Sequence, residues 1–105
     1  MKPEPIASGV ERFRSHLARR NYMRSTIDGR MDGLRIFREF LEREGLREIG
    51  EVSTKHVLEF WAYLKGRKSR RSGEPLRPLS VQAYLITLRI FFAFLKNQDL
   101  ILTDP

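Results

Sequence analysis

The stretch SVQAYLITLRIFFAFL, residues 80–95, decides what kind of molecule this chain forms. Val81, Leu85, Leu88, Phe92 and Leu95 recur at the spacing that stacks side chains on one face of a helix with 3.6 residues per turn. Ile86, Ile90, Ala93 and Phe94 fill the far side, so beyond its first turn the helix is apolar nearly all round. A helix of that kind is expected at the centre of a bundle. The same pattern leaves open that the second face docks on another domain or subunit, since large apolar patches mark interfaces. Pro78 stands just before this segment, and Ser80 is the expected N-cap.

Three further segments carry helical spacing, and nowhere do four or more residues alternate as a half-buried strand requires. The first runs from about Ile6 to Arg20, with Ile6, Val10, Phe13 and Leu17 on one face and Asn21 as its stop; Pro3 and Pro5 keep the chain before it extended. The second begins near Ser25 or Thr26, either of which can cap free amides, and continues through Ile27, Met31, Leu34, Phe37 and Leu41 to Gly45. The third starts at Ser53 or Thr54, turns Val57, Phe60, Trp61 and Leu64 inward, and ends at Gly66. The reading is all-α, four helices in one domain over residues 1–105, with residues 99–105 as the start of a linker.

Composition narrows the function. A chain of 105 residues with 41% hydrophobic residues buries one modest core. It has no cysteine and only two histidines, so disulfides and thiolate metal sites are excluded, and no metal or other cofactor is expected. His16 and His56 have no partners at metal-ligand spacing and read as surface residues. No apolar run approaching the ~20 residues of a membrane span is expected, nor is an export signal; the cytoplasm is the expected location.

The net charge of +7 points to a polyanionic partner. Its distribution says more than its size. Arg12 to Arg38 holds eight basic residues against two acids, and Gly66 to Pro78 five against one, whereas Glu39 to Glu51 holds five acids against two basic residues. One basic side and one more acidic side are expected.

The order of these elements resembles the N-terminal SAM-like core-binding domain of the tyrosine recombinase (phage integrase) family, from Val10 to Pro105. Thr26, Leu34, Phe37, Phe40 and Leu41 resemble the family's second helix. Val52-Ser53, Val57 and Phe60 to Leu64 resemble the third. The fourth is the most specific, with Leu76, Ser80-Val81, Leu85, Leu88-Arg89, Phe91-Phe92 and Phe94-Leu95, then Ile101 and Pro105. Two positions depart: Arg30 stands where the family often has Tyr, and His56 where it often has Asp. The resemblance implies a SAM-like orthogonal bundle that lies on one side of a DNA duplex and presents the early parts of its second and fourth helices. A C-terminal catalytic domain of the same parent chain closes from the other side, and its Arg, His, Arg and Tyr set performs the covalent chemistry. By that reading this chain is not itself an enzyme.

Candidate DNA-contacting residues follow. Ser25 and Thr26, beside Arg24, can meet a phosphate at a helix N-terminus, where unpaired amides and the helix dipole favour an anion. Simple capping is the competing reading. Arg30, one turn on, suits a phosphate or a guanine edge. Gly29 and Gly33 each cost roughly 1 kcal/mol relative to Ala inside a helix, so they are expected to permit close approach, by DNA or by another helix. Lys68, Arg70, Arg71 and Arg77 read as a phosphate-contacting arm, with a solvated charge run as the alternative. Ser80 and Gln82 sit at the start of the fourth helix, Gln82 off its core face and able to bond a base edge. Tyr84, Tyr22 and Tyr63 lack the surroundings of an activated nucleophile and read as structural.

The function expected is DNA binding within a site-specific recombinase, with double-stranded DNA, the catalytic domain and a recombinase tetramer as partners, and no membrane. A helical protein-interaction module is one alternative. The other is a standalone DNA-binding regulator, in which case the reading frame stops at Pro105.

Overall fold

A computed structural model describes residues 5–67, 73 and 77–101. It contains four α-helices, α1 (Ile6–Arg19), α2 (Arg24–Arg43), α3 (Thr54–Gly66) and α4 (Pro78–Asn97), with a single 3-10 turn at Ile49–Glu51. Among the described residues there is no strand, only an isolated bridge between Pro5 and Glu48. Beside it the Ile6 N–H donates to the Arg47 carbonyl at 3.1 Å, which ties the start of α1 to the α2–α3 connection.

Three helices stop by the same device. Asn21, Gly45 and Asp99 follow α1, α2 and α4 with φ of 59°, 86° and 57°. In each case the next N–H reaches back to a carbonyl of the last turn: Tyr22 to Leu17, Leu46 to Leu41, Leu100 to Leu95. The left-handed residue reverses the chain while satisfying carbonyls the helix leaves open. Asn and Asp tolerate that conformation better than other non-glycine residues. Ile101 is buried, so packing extends into the stretch expected as linker.

The starts differ from expectation. The N-cap of α2 is Met23 and that of α4 is Arg77, neither with a side-chain cap. Ser25, Thr26 and Ser80 lie inside their first turns and are not caps. For α4 the reason is Pro78, whose fixed φ and missing N–H suit the first helical position, which places the cap three residues before the expected one. At α3 Ser53 is the cap, in a reciprocal arrangement with His56, whose Nδ1 accepts from the Ser53 N–H at 3.0 Å. His56 thus has a partner and takes the place Glu or Gln fills in a capping box.

Phe13, Phe37, Phe60, Phe91 and several leucines fill the core. Phe37 meets Phe60 at 4.9 Å and Phe92 at 5.9 Å, which joins α2, α3 and α4; Phe13 meets Phe91 and Phe94 at 5.5 Å, which joins α1 to α4. Both α2 and α4 touch all three other helices. α4 is long and apolar enough to cross a membrane, contrary to the expectation that no run approached that length; Val81, Leu88, Phe91, Phe92, Phe94 and Leu95 are buried in this core, whereas Leu79 is exposed. Its far face is divided: Phe94 is buried against α1, whereas Ile86 is 49% exposed.

Trp61, expected inside, is 42% exposed. The short α3 buries Phe60 and Leu64 against α2 and α4, which leaves Trp61 at the edge, and Lys65 Nζ sits 4.0 Å over its ring. His16, expected on the surface, is half-buried and lies 4.7 Å from the Phe94 ring. Burial, then the charges of Arg20 and Arg19, lower its pKa below 6.5. A base whose folded pKa is depressed binds protons more readily unfolded, so folding is favoured above the unfolded value and loses stability as pH falls through it. The stability of the wild type is therefore expected to decline as pH drops below about 6.5. Urea melts of His16→Gln across pH 5–7 should show a flatter profile; an equal slope would reject the assignment.

Candidate nucleic-acid interface

A contact between Gly33 and Tyr84 joins the N-terminal halves of α2 and α4. Gly33 on α2 is buried, and a Cβ added there would come within 2.8 Å of Tyr84 Cδ1 on α4. Gly33 thus serves helix packing and is not part of an outward-facing glycine pair. Gly29 is exposed, with nothing within 4 Å of its added Cβ. Arg30 lies three residues before Gly33 and Gln82 two before Tyr84, about 4.5 and 3 Å along their axes at 1.5 Å per residue.

On α2, Arg24 is 96% exposed, with Asp28 4.0 Å away, and Ser25 is exposed beside it; Thr26 is half-buried. The open amides of the first turn and the Arg24 charge are available to an anion. Arg30 is placed differently from a free reader: its guanidinium lies over the Tyr22 ring at 5.5 Å, and its Nη1 is buried without a hydrogen-bond partner. Arg14, Asn21, Tyr22, Arg24 and Asp28 line a groove of about 460 Å³ where α1 meets α2. Tyr22 and Arg14 carry no local signal for this role, since their meeting with α2 depends on the turn at Asn21.

On α4, Arg77 and Gln82 are exposed and Ser80 is half-buried. Gln82 lines a groove of about 530 Å³ with Trp61, Lys65, Pro78, Val81 and Leu85. Lys65 was not among the expected residues, although its position four residues after Trp61 on one helix is a local signal. Lys68, Arg70 and Arg71 lie outside the described residues.

The number of cations along α2 overstates the charge its surface offers. Arg35 is bonded to Asp32 at 2.7 Å and to Glu39 at 3.1 Å, and Arg38 lies 3.7 Å from Glu42. The hydrogen bond to Asp32 is the main reason the Arg35 pKa is raised. Arg24 also pairs with Asp28, so among the described residues the α2 arginines with no carboxylate within 4.0 Å are Arg30 and Arg43. Among the described residues no three His, Cys, Asp or Glu side chains gather to hold a metal.

Residues 10–99 match the family described as the phage integrase N-terminal SAM-like domain. The fold is similar to the crystal structure of the N-terminal domain of a phage integrase/site-specific recombinase from Haloarcula marismortui, with a TM-score of 0.81 and 16% identity over 96% of this chain and 89% of that one. No curated protein sequence matches the chain.

Proposed function

The chain belongs to the family of phage integrase N-terminal SAM-like domains, and from that we propose that it binds double-stranded DNA as the non-catalytic half of a site-specific recombinase. It clamps one side of the duplex while a catalytic domain of the same parent chain, bearing the Arg, His, Arg and Tyr set, closes on the other. The observation that supports this reading most is that two helices joined at the Gly33–Tyr84 contact both start without a side-chain cap and beside an exposed arginine, Arg24 or Arg77. Helix starts of that kind meet backbone phosphates through amides and dipole together. Gln82 is the residue proposed to reach a base edge, and Lys68, Arg70 and Arg71 to follow the backbone. A cytoplasmic location and assembly into a recombinase tetramer accompany the proposal.

Half of a clamp neutralises few phosphates, so affinity is expected to be modest and steeply salt-dependent, each phosphate adding a slope of about −0.9 in log K against log salt. Duplex titrations at low and moderate salt test this. Loss of binding in Arg24→Gln and Arg77→Gln, with helicity unchanged, is the expected result; no binding by the wild type at low ionic strength overturns it. The exposed Leu58, Trp61, Leu79 and Ile86 favour a second reading as a protein-interaction module, which predicts no salt-sensitive duplex affinity for Arg70 and Arg71 to lose on neutralisation.

A further inference from the structure

The far ends of α2 and α3 hold a cluster that the proposed contacts do not use. Arg43, the last residue of α2, donates from Nη2 to the Tyr63 hydroxyl at 2.8 Å, and Arg67, just past α3, donates from Nη1 to the same oxygen at 2.7 Å. Their guanidinium carbons lie 5.0 and 5.8 Å from the Tyr63 ring centroid. Two cations thus meet on one neutral atom. No carboxylate lies within 4.0 Å of either among the described residues; Glu39 and Glu44 act on Arg43 only from farther off.

The phenol is fixed from below. Its ring packs on Phe40 at 5.3 Å and on Phe60 at 6.1 Å, so the hydroxyl sits on the rim of the core in a set position. Accepting from both arginines occupies both of its lone pairs and leaves the O–H as a donor, with no protein acceptor among the described residues. Spare guanidinium N–H groups and this O–H gather donors around one atom with no acceptor among the described residues. That is the chemistry of an oxyanion site.

The helix ends oppose this, because each carries about half a negative charge. Two full guanidinium charges outweigh two such halves, and the carboxylates of Glu39 and Glu44 that also oppose them act from beyond 4.0 Å. The Arg43 hydrogen bond, more than the charge of Arg67, also lowers the Tyr63 pKa against the opposing effect of burial, a response expected of a phenol in a cationic pocket.

We propose that Arg43, Tyr63 and Arg67 form a phosphate-binding site, with the DNA backbone as its source of phosphate; the source, though not the site, rests on the DNA-binding reading. Arg67 leads in sequence into Lys68, Arg70 and Arg71, so the site extends the expected backbone-following segment back to the end of α2.

Two measurements on the full chain decide it. Inorganic phosphate is titrated at constant ionic strength, with chloride replacing it, while the Tyr63 ring and the arginine side chains are followed by NMR. A saturable shift is expected in the wild type, abolished in Arg43→Gln/Arg67→Gln and in Tyr63→Phe, which keeps the ring on Phe40. Absence of saturation, or the same shift in the variants, overturns the site. In duplex binding, the double variant is expected to flatten the salt slope by about 0.9 for each phosphate it no longer neutralises. An unchanged slope in a chain that binds duplex overturns DNA as the source. A wild type that binds no duplex strikes the DNA-binding reading itself, and the phosphate titration still decides the site.

Discussion

Phe60→Ala is expected to destabilise the domain by about 3–5 kcal/mol, the range for deleting a fully buried aromatic side chain. Phe60 has no exposure and is flanked by Phe37 at 4.9 Å, Phe40 at 5.4 Å and Tyr63 at 6.1 Å. Its removal opens a cavity where α2 and α3 meet, and rigid rings close such a cavity poorly. Domains of this size are stable by only about 5–15 kcal/mol in total, so the variant should lose much of its cooperative melt. Urea unfolding followed by circular dichroism measures the change. Leu58→Ala is the control: two residues away but 56% exposed, it should cost less than about 1 kcal/mol. Equal losses at the two positions would mean that α3 does not present Phe60 inward.

Gly33→Leu is the second large effect, an expected loss of roughly 1–3 kcal/mol from overpacking. Helix propensity alone pushes the other way by up to about 1 kcal/mol, so the sign of the result tells which effect wins. The 2.8 Å approach to the Tyr84 ring argues for packing, because the half-buried ring has to shift before any side chain fits at position 33. Gly29→Leu should stabilise by up to about 1 kcal/mol, since its added Cβ meets nothing within 4 Å. Pairing Gly33→Ala with Tyr84→Ala should restore part of what Gly33→Ala loses, the coupling that touching residues show. Gly33→Leu at wild-type stability would show that α2 and α4 do not approach this closely. If Gly29 serves close approach of a DNA backbone, its leucine variant gains stability and loses duplex affinity together.

Much of the fold was legible from local chemistry. The spacing of Val81, Leu85, Leu88, Phe92 and Leu95 marked a central helix, and Asn21 and Gly45 marked helix ends, because left-handed backbone favours those residue types. Helix starts were less legible. Ser25, Thr26 and Ser80 are good caps by type, yet Met23 and Arg77 occupy the positions, since the path of the preceding turn and the ring of Pro78 fix where each helix begins. The candidate site was legible by region only. Arg24 and Gln82 are exposed at helix starts as expected, whereas Arg77, expected in the loop arm, is the N-cap of α4 and Arg30 is folded onto Tyr22; the spacing of Lys65 after Trp61 was visible, but not that the two pair at the edge of a groove.

The sequence by itself determined that this chain forms four helices, roughly where they run, and that its charge is unevenly distributed, because periodicity, stop residues and charge runs act over a few residues. The tertiary structure alone decided that Trp61 faces outward, that Gly33 receives Tyr84, and that Arg43 and Arg67 share one phenol. Those outcomes depend on which helix covers which face, and that is set by mutual packing of side chains distant in sequence, as the 20-residue separation of Arg43 and Tyr63 illustrates.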